Sequence, residues 1–299
     1  MITRRVIAVL AGLVVVAGCT PGPGGADQDE PPLDPAVMAM APRAVDPRQT
    51  SFPLDAYERN QSLGVIGYAV DIVQQRCFRR FGLDLPLPDR GDGVQSPLPT
   101  WDWYGLWDAS ASRQYGYEDP PRYVNSFMMS VGRAGPEWDV VLGGVEETFN
   151  GVEVPEGGCQ GESFRAVGLD QDGGHIDVPG LYREAITLAR QHSAVEALIA
   201  DWSDCLADLG WEAADPFEPF RRWQGRRAGP TGGPSSDESA MAMADIECKK
   251  ETGLLRAWVA AEVAYQNVLA DEHVDALRDL AAQQDQMRRK AADIVAGDG

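Results

Sequence analysis

Five cysteines are the side chains of this sequence best suited to covalent chemistry. Cys19 lies near the N-terminus, and the other four are spread along the rest of the chain: Cys77, Cys159, Cys205 and Cys248. In an exported protein, an even number of cysteines most simply forms disulfides. A structural zinc site usually contains a close Cys-x-x-Cys pair, which this sequence lacks. The four later cysteines therefore predict two disulfides, with three connectivities open at this point.

The residues before Cys19 have the features of an export signal. Arg4 and Arg5 precede an apolar run over residues 6–16, which at roughly ten residues is about half the length that a transmembrane helix needs. Val16-Ala17-Gly18-Cys19 resembles the lipobox of bacterial lipoproteins. That resemblance implies cleavage before Cys19, a lipid such as palmitate on this residue, and anchoring to the outer face of the cell membrane.

A run of aromatic residues is the strongest candidate for ligand contact. It comprises Trp101, Trp103, Tyr104 and Trp107. Flat rings can stack on sugars or on peptide prolines while their polar atoms stay hydrated. The alternative is a local aromatic core, or a cover over a disulfide-bonded helix.

The sequence contains few residues that could support catalysis or metal binding. It lacks the Gly-Lys of a Walker loop, Gly-x-Ser-x-Gly, Ser-x-x-Lys and His-Glu-x-x-His. Glu146 and Glu147 could serve a glycosidase, but in so acidic a chain they are better explained as a solvated face. Residues 170–177 resemble the start of a calcium loop, but His175 stands at position six where glycine is needed and Leu181 at position twelve where glutamate is needed, so a polar turn is expected. We therefore expect no catalytic residue, no metal site and no cofactor.

The sequence has three histidines, His175, His192 and His273, and the last two are expected to be hydrogen-bonded or solvated without a catalytic role. We place His192 on the exposed or boundary face of its helix. The net charge is −20, and removal of the two arginines of the signal makes it −22. A surface this acidic repels phosphate backbones, so we expect no nucleic acid partner.

Two helices that end near a cysteine are predicted from apolar periodicity. Residues 56–81 place these side chains on one helical face: Leu63, Ile66, Val70, Val73 and Cys77. Residues 182–209 repeat the spacing with another set: Val195, Leu198, Trp202, Cys205 and Leu209. Gly82 and Gly210 each follow their cysteine by five positions and are expected to end the two helices.

The match between these helices suggests a degenerate internal duplication. Each is followed by a second cysteine in a Cys-x-x-Glu-Ser/Thr motif, which begins at Cys159 or at Cys248. If each helix bonds to its own downstream cysteine, the pairs are Cys77–Cys159 and Cys205–Cys248. The alternative is that helices with a buried cysteine and a final glycine are common, so that the match arose by chance.

A third helical stretch is predicted from Ser235 to Ala296. Ser235 and Glu238 can form a capping box at its start, and a change of phase indicates a break at residues 268–273. The last part carries a stripe of apolar side chains: Leu277, Leu280, Met287, Ala291 and Ile294. A stripe of this kind has to be covered. It either contacts a protein partner or second copy, or folds back on its own domain.

The predicted fold is mainly α, with disulfide-bonded helical domains and a long C-terminal helix. The domain boundaries that we expect are a signal peptide at 1–18, a disordered tether at 19–48, a first half of helices and loops at 49–168, and a second helical half with the long C-terminal helix at 169–299. Convincing strand alternation is absent, and residues 85–158 are expected to form short helices and loops.

Several segments resemble an uncharacterised family of secreted actinobacterial lipoproteins. They are the helix that ends at Cys77 and Gly82, Phe52-Pro53-Leu54-Asp55, Tyr115-Gly116-Tyr117, and the helix that contains Cys248-Lys249-Lys250-Glu251-Thr252-Gly253. The small number of lysines beside abundant arginine is also typical of a GC-rich genome. The resemblance implies a shared fold, but it does not indicate an activity.

These observations predict a lipid-anchored extracytoplasmic protein with a binding or scaffolding role at the cell envelope, and favour a role that is not enzymatic. The first alternative is a hydrolase that uses carboxylates on cell-wall or polysaccharide substrates. The second is a solute-binding receptor, which is disfavoured because such receptors need repeated strand-helix units.

Overall fold

Helices make up most of the residues that the computed structural model describes, which are 30–57, 63–84, 101–118, 136–169, 176–223 and 233–297. This confirms the predicted mainly helical class. Residues 31–299 belong to one compact unit, so the two predicted halves are not separate domains. Within the described ranges, no helix combines the length and apolarity needed to cross a membrane.

The helices are α1 (Pro35–Met38), α2 (Leu63–Arg80), α3 (Trp101–Tyr104), α4 (Ala109–Tyr115), α5 (Pro136–Gly143), α6 (Gly158–Val167), α7 (Val178–Gln191), α8 (Ser193–Asp208), α9 (Glu218–Trp223), α10 (Ser236–Thr252), α11 (Leu254–Glu272) and α12 (Val274–Ala296). Short 3-10 helices span Pro42–Ala44, Pro47–Gln49 and Pro53–Tyr57. Strands β1 (Thr148–Phe149) and β2 (Val152–Glu153) form an antiparallel hairpin. We expected no strand there, and the overlooked signal is the turn Asn150-Gly151, where both residues have positive φ.

The main core lies where α7, α8, α10 and α11 meet the N-terminal residues and α3. Its largest fully buried side chains include Trp202 of α8 and Trp258 of α11. Cys205 and Cys248 form a disulfide that ties α8 to α10 inside this core. The predicted pairing of these two cysteines is therefore confirmed.

A second cluster of apolar side chains surrounds the other disulfide. Cys77 of α2 bonds to Cys159 of α6, as predicted, and Phe78 packs on Trp138 of α5 with ring centroids 4.7 Å apart. Nearer its N-terminus, α2 packs through Ile66 and Ala69 against α12. The helix α12 therefore links this second cluster to the rest of the fold.

The predicted tether is shorter than the sequence suggested. Asp34 donates its backbone N–H to Ala260 of α11 over 3.1 Å, and Val37 and Val45 are buried in the main core. Residues 31–48 are thus part of the folded unit, because their few apolar side chains find a place in it. The part of the tether before residue 30 lies outside the described residues, as does the signal peptide.

The long C-terminal stretch consists of three helices. The predicted break near 268–273 is present at His273, and a second break at Gly253 was missed. Ser235 caps α10 by accepting from the backbone N–H of Glu238 over 3.1 Å. The carboxylate of Glu238 accepts from the backbone of Tyr117, 3.0 Å away.

The apolar stripe of α12 is buried inside its own chain. Leu277 and Leu280 pack against Leu54 and α7, while Met287 and Ala291 pack against α2 and α6. The alternative that this helix folds back on its domain is therefore the one that the structure shows. Association through α12 stays a prediction and would have to use its outer, charged face.

The two cysteine helices end in the same way. Leu83 donates to the carbonyl of Phe78, and Trp211 donates to the carbonyl of Leu206, which closes a Schellman turn around each glycine. Their disulfide partners lie in different surroundings. Cys159 is in the first turn of α6, whereas Cys248 is near the end of α10. The duplication stays a prediction that only the helix ends support.

Candidate functional site

A cleft of about 200 Å³ opens between α3, α7, the segment before α9, and α11. The side chains that line it are Trp103, Ile186, Thr187, Arg190, Gln191, Phe217 and Trp258. The helix α7 contributes four of them because positions 186, 187, 190 and 191 share one helical face.

Aromatic rings form much of the cleft wall. Trp103 is 41% exposed, whereas Trp258 is only 1% exposed. The ring of Trp258 meets Phe217 edge to face, with centroids 6.1 Å apart, and meets Tyr104 in the same way at 5.7 Å. These contacts hold the buried rings in place. Trp103 is left as the exposed aromatic face at the cleft.

Two nitrogens of the lining residues have no hydrogen-bond partner. They are Nε of Arg190 and Nε1 of Trp258, both buried, and no acceptor for either is found among the described residues. The terminal nitrogen of Arg190 does have a partner, since it forms an ion pair with Asp215. A buried donor without an acceptor costs about 1–3 kcal/mol. Both nitrogens are buried behind the cleft surface, so neither is open to solvent.

A polar network lies on the core side of Trp258. Tyr104 donates its hydroxyl to Glu262, and Gln266 donates to the other carboxylate oxygen over 2.9 Å. Burial raises the pKa of Glu262 to about 7, although these two hydrogen bonds oppose the rise. Burial also raises the pKa of Tyr104. Gln266 accepts from the backbone N–H of Leu54, so this network fixes the N-terminal segment to α11.

A second buried network centres on Asp245 of α10. Lys249 lies 3.0 Å from its carboxylate, and Trp202 and Tyr117 donate to it over 3.0 and 3.1 Å. Lys249 also donates to the carbonyl of Leu106 over 2.8 Å. Burial raises the pKa of Asp245 and lowers the pKa of Lys249, while their mutual attraction opposes both shifts. Because every member is paired within the core, this network is structural.

The four aromatic residues predicted as ligand contacts do not act together. Trp103 lines the cleft, whereas Tyr104 and Trp107 are buried in the main core. Trp107 is covered by the guanidinium of Arg48, 4.6 Å from its ring. Trp101 begins α3, and its side chain lies outside the described part of the structure. The alternative of an aromatic core is therefore correct for two of the four residues.

His192 was expected on an exposed or boundary face, which is wrong because it is only 6% exposed. Its Nδ1 accepts from the backbone of Ala194 over 3.1 Å, and its Nε2 lies 3.1 Å from the carbonyl oxygen of Pro31. The ring thus caps α8 and holds the N-terminal segment. His273 and the pair Glu146 and Glu147 are exposed. The candidate calcium loop lies mostly outside the described residues, and so do His175 and Cys19.

Sequence reasoning missed most of the cleft. Arg190, Phe217 and Trp258 are far apart in the chain, and no local motif marks them. The available signal was that Arg190 follows Ile186 by one helical turn, which places both on one face of α7. The described residues contain no group of three or more His, Cys, Asp or Glu side chains placed to hold a metal ion.

Comparisons with known protein families, with curated proteins and with solved structures find no match to this chain.

Proposed function

We propose that this protein is a lipid-anchored, extracytoplasmic binding protein of the cell envelope, and that its ligand occupies the cleft beside Trp103. The cleft is the observation that carries the proposal. It combines exposed and buried aromatic faces with a guanidinium, a hydroxyl and an amide. Such groups recognise a ligand through stacking and hydrogen bonds, and none of them is a carboxylate or imidazole that would exchange protons with it.

The proposed location rests on the N-terminal sequence. The lipobox resemblance and the short apolar run support lipidation of Cys19, and the two disulfides fit an oxidising compartment. The resemblance to secreted actinobacterial lipoproteins supports the same location. A carboxylate-based hydrolase is less well supported, because the lining residues do not include an acid pair.

The anchor is tested by replacing Cys19 with Ala. We expect loss of labelling by a fatty-acid analogue and release of the protein from membranes, since the thiol that would carry the lipid is gone. Thr20→Ala, which leaves the thiol in place, serves as the control and should be labelled normally. Persistent labelling of the Cys19→Ala protein would refute the anchor.

Binding is tested by cosedimentation of the purified, detergent-solubilised protein with a detergent-washed cell envelope. Excess detergent surrounds the lipid anchor, so that retention on the envelope reports binding by the folded domain and not by the lipid. We expect Trp103→Ala to be retained about tenfold less, or ~1.4 kcal/mol weaker, because the exposed ring is lost. Val145→Ala is the control, since Val145 is 70% exposed and does not line the cleft. Equal retention of the parent, Trp103→Ala and Val145→Ala proteins contradicts a role for the cleft.

A further inference from the structure

We infer that the cleft binds a neutral saccharide, with one sugar ring against Trp103 and a sugar oxygen as acceptor for the guanidinium of Arg190. This inference rests on the proposed binding function and names its ligand class. Three properties of the lining residues lead to it: their polar groups, their charge and the space between them.

The polar lining calls for a ligand that both accepts and donates hydrogen bonds. The side chain of Arg190 is 43% exposed, and its guanidinium can donate to a hydroxyl or acetamido oxygen of a saccharide. Thr187 and Gln191, in the same lining, can accept the hydroxyl protons in return.

The charge of the cleft favours a neutral ligand. Arg190 is its single charged lining residue, and Asp215 already neutralises that charge in an ion pair. The chain as a whole carries a net charge of −20, which repels anions. A cation would find no carboxylate in the lining.

The size and shape of the cleft fit one ring. Its volume of about 200 Å³ corresponds to roughly seven water molecules at about 30 Å³ each. That space accommodates a single sugar ring, and the other rings of a longer saccharide would lie outside the cleft. The exposed indole of Trp103 offers a flat apolar face, as needed to cover the C–H face of a sugar while the hydroxyls at its edge face the polar lining residues.

The test is a titration of the purified lipidated protein in detergent with N,N′-diacetylchitobiose, a neutral disaccharide, followed by tryptophan fluorescence. Glucuronic acid, glucosamine and a proline-rich peptide are titrated in parallel as anionic, cationic and non-sugar probes. We expect saturable binding of the neutral disaccharide alone, with a Kd at or below about 1 mM. Trp103→Ala should weaken it at least tenfold.

The role of Arg190 is tested by Arg190→Lys, which keeps the positive charge and removes the guanidinium group. We expect this variant to bind about tenfold more weakly, while Arg183→Lys, on the exposed side of the same helix, binds like the parent protein. Thermal melting of each variant verifies that it is folded. Absence of disaccharide binding up to about 10 mM overturns the inference, as does equal binding by Arg190→Lys. If the peptide or the acid binds at Trp103 instead, the ligand class is wrong and the proposed binding function stands.

Discussion

Glu262 is the buried carboxyl group whose protonation has the clearest consequence for stability. Its pKa is raised to about 7 by burial, against about 4.5 when the chain is unfolded. Between these pH values the folded protein holds a proton that the unfolded chain has lost. The free energy of unfolding therefore falls as pH rises from about 4.5 to about 7, and above that range the loss contributed by Glu262 is complete.

The change Glu262→Gln should remove this dependence, because the amide resembles the protonated carboxyl group and does not titrate. Denaturant unfolding from pH 4.5 to pH 8 measures the effect. We expect the parent protein to lose about 3 kcal/mol relative to the variant over this range. Glu272→Gln, at the exposed end of the same helix, is the matched control and should follow the parent protein. Parallel curves for parent and Glu262→Gln proteins would show that the carboxyl group is not perturbed.

At the scale of the helices, periodicity predicted the buried faces but not all of the ends. The stripe around Cys77 and the break at His273 follow from the spacing of apolar residues. The break at His192 does not, because it depends on a ring that caps α8 and contacts the carbonyl of Pro31, far away in sequence. Gly253 was missed because the residues on both sides of it are good helix formers.

Leu277 tests whether the stripe of α12 belongs to the core. The side chain is fully buried against Leu54 and α7, so Leu277→Ala should lower the free energy of unfolding by about 2–5 kcal/mol. Val274 lies one turn earlier on the same helix and is 46% exposed. Val274→Ala should change the stability by less than about 0.5 kcal/mol. Similar small losses in both variants, measured by chemical denaturation, would show that the stripe is not part of the core.

At the scale of the whole molecule, the N-terminal segment shows what the sequence could not reveal. Residues 31–48 have the composition of a tether, yet they are fixed by single long-range contacts such as that of Asp34 with Ala260. The cleft was equally hidden, since it is assembled from α3, α7 and α11.

The two disulfides stabilise different parts of this molecule. Cys205–Cys248 lies in the main core, between α8 and α10, whereas Cys77–Cys159 lies in the cluster of α2, α5 and α6. That cluster joins the remaining helices mainly through α12. The sequence separations of 43 and 82 residues correspond to a loop-entropy contribution of about 4 kcal/mol for each bond. The two bonds are thus comparable in strength and differ in what they hold together.

Paired Cys→Ala variants separate the two roles, with native-state hydrogen exchange as the measurement. Removal of Cys77 and Cys159 should speed exchange in α2, α5 and α6 and leave the slowest amides of α8 and α11 nearly unchanged, because this cluster can open while the main core stays folded. Removal of Cys205 and Cys248 should speed exchange throughout and lower the melting temperature of the whole protein, because every other element packs directly or indirectly on that core. If the first variant also accelerates the slowest amides of α11 as much as the second does, the two clusters open together. The molecule would then unfold as a single cooperative unit, and α12 would transmit the loss of either bond to the other cluster.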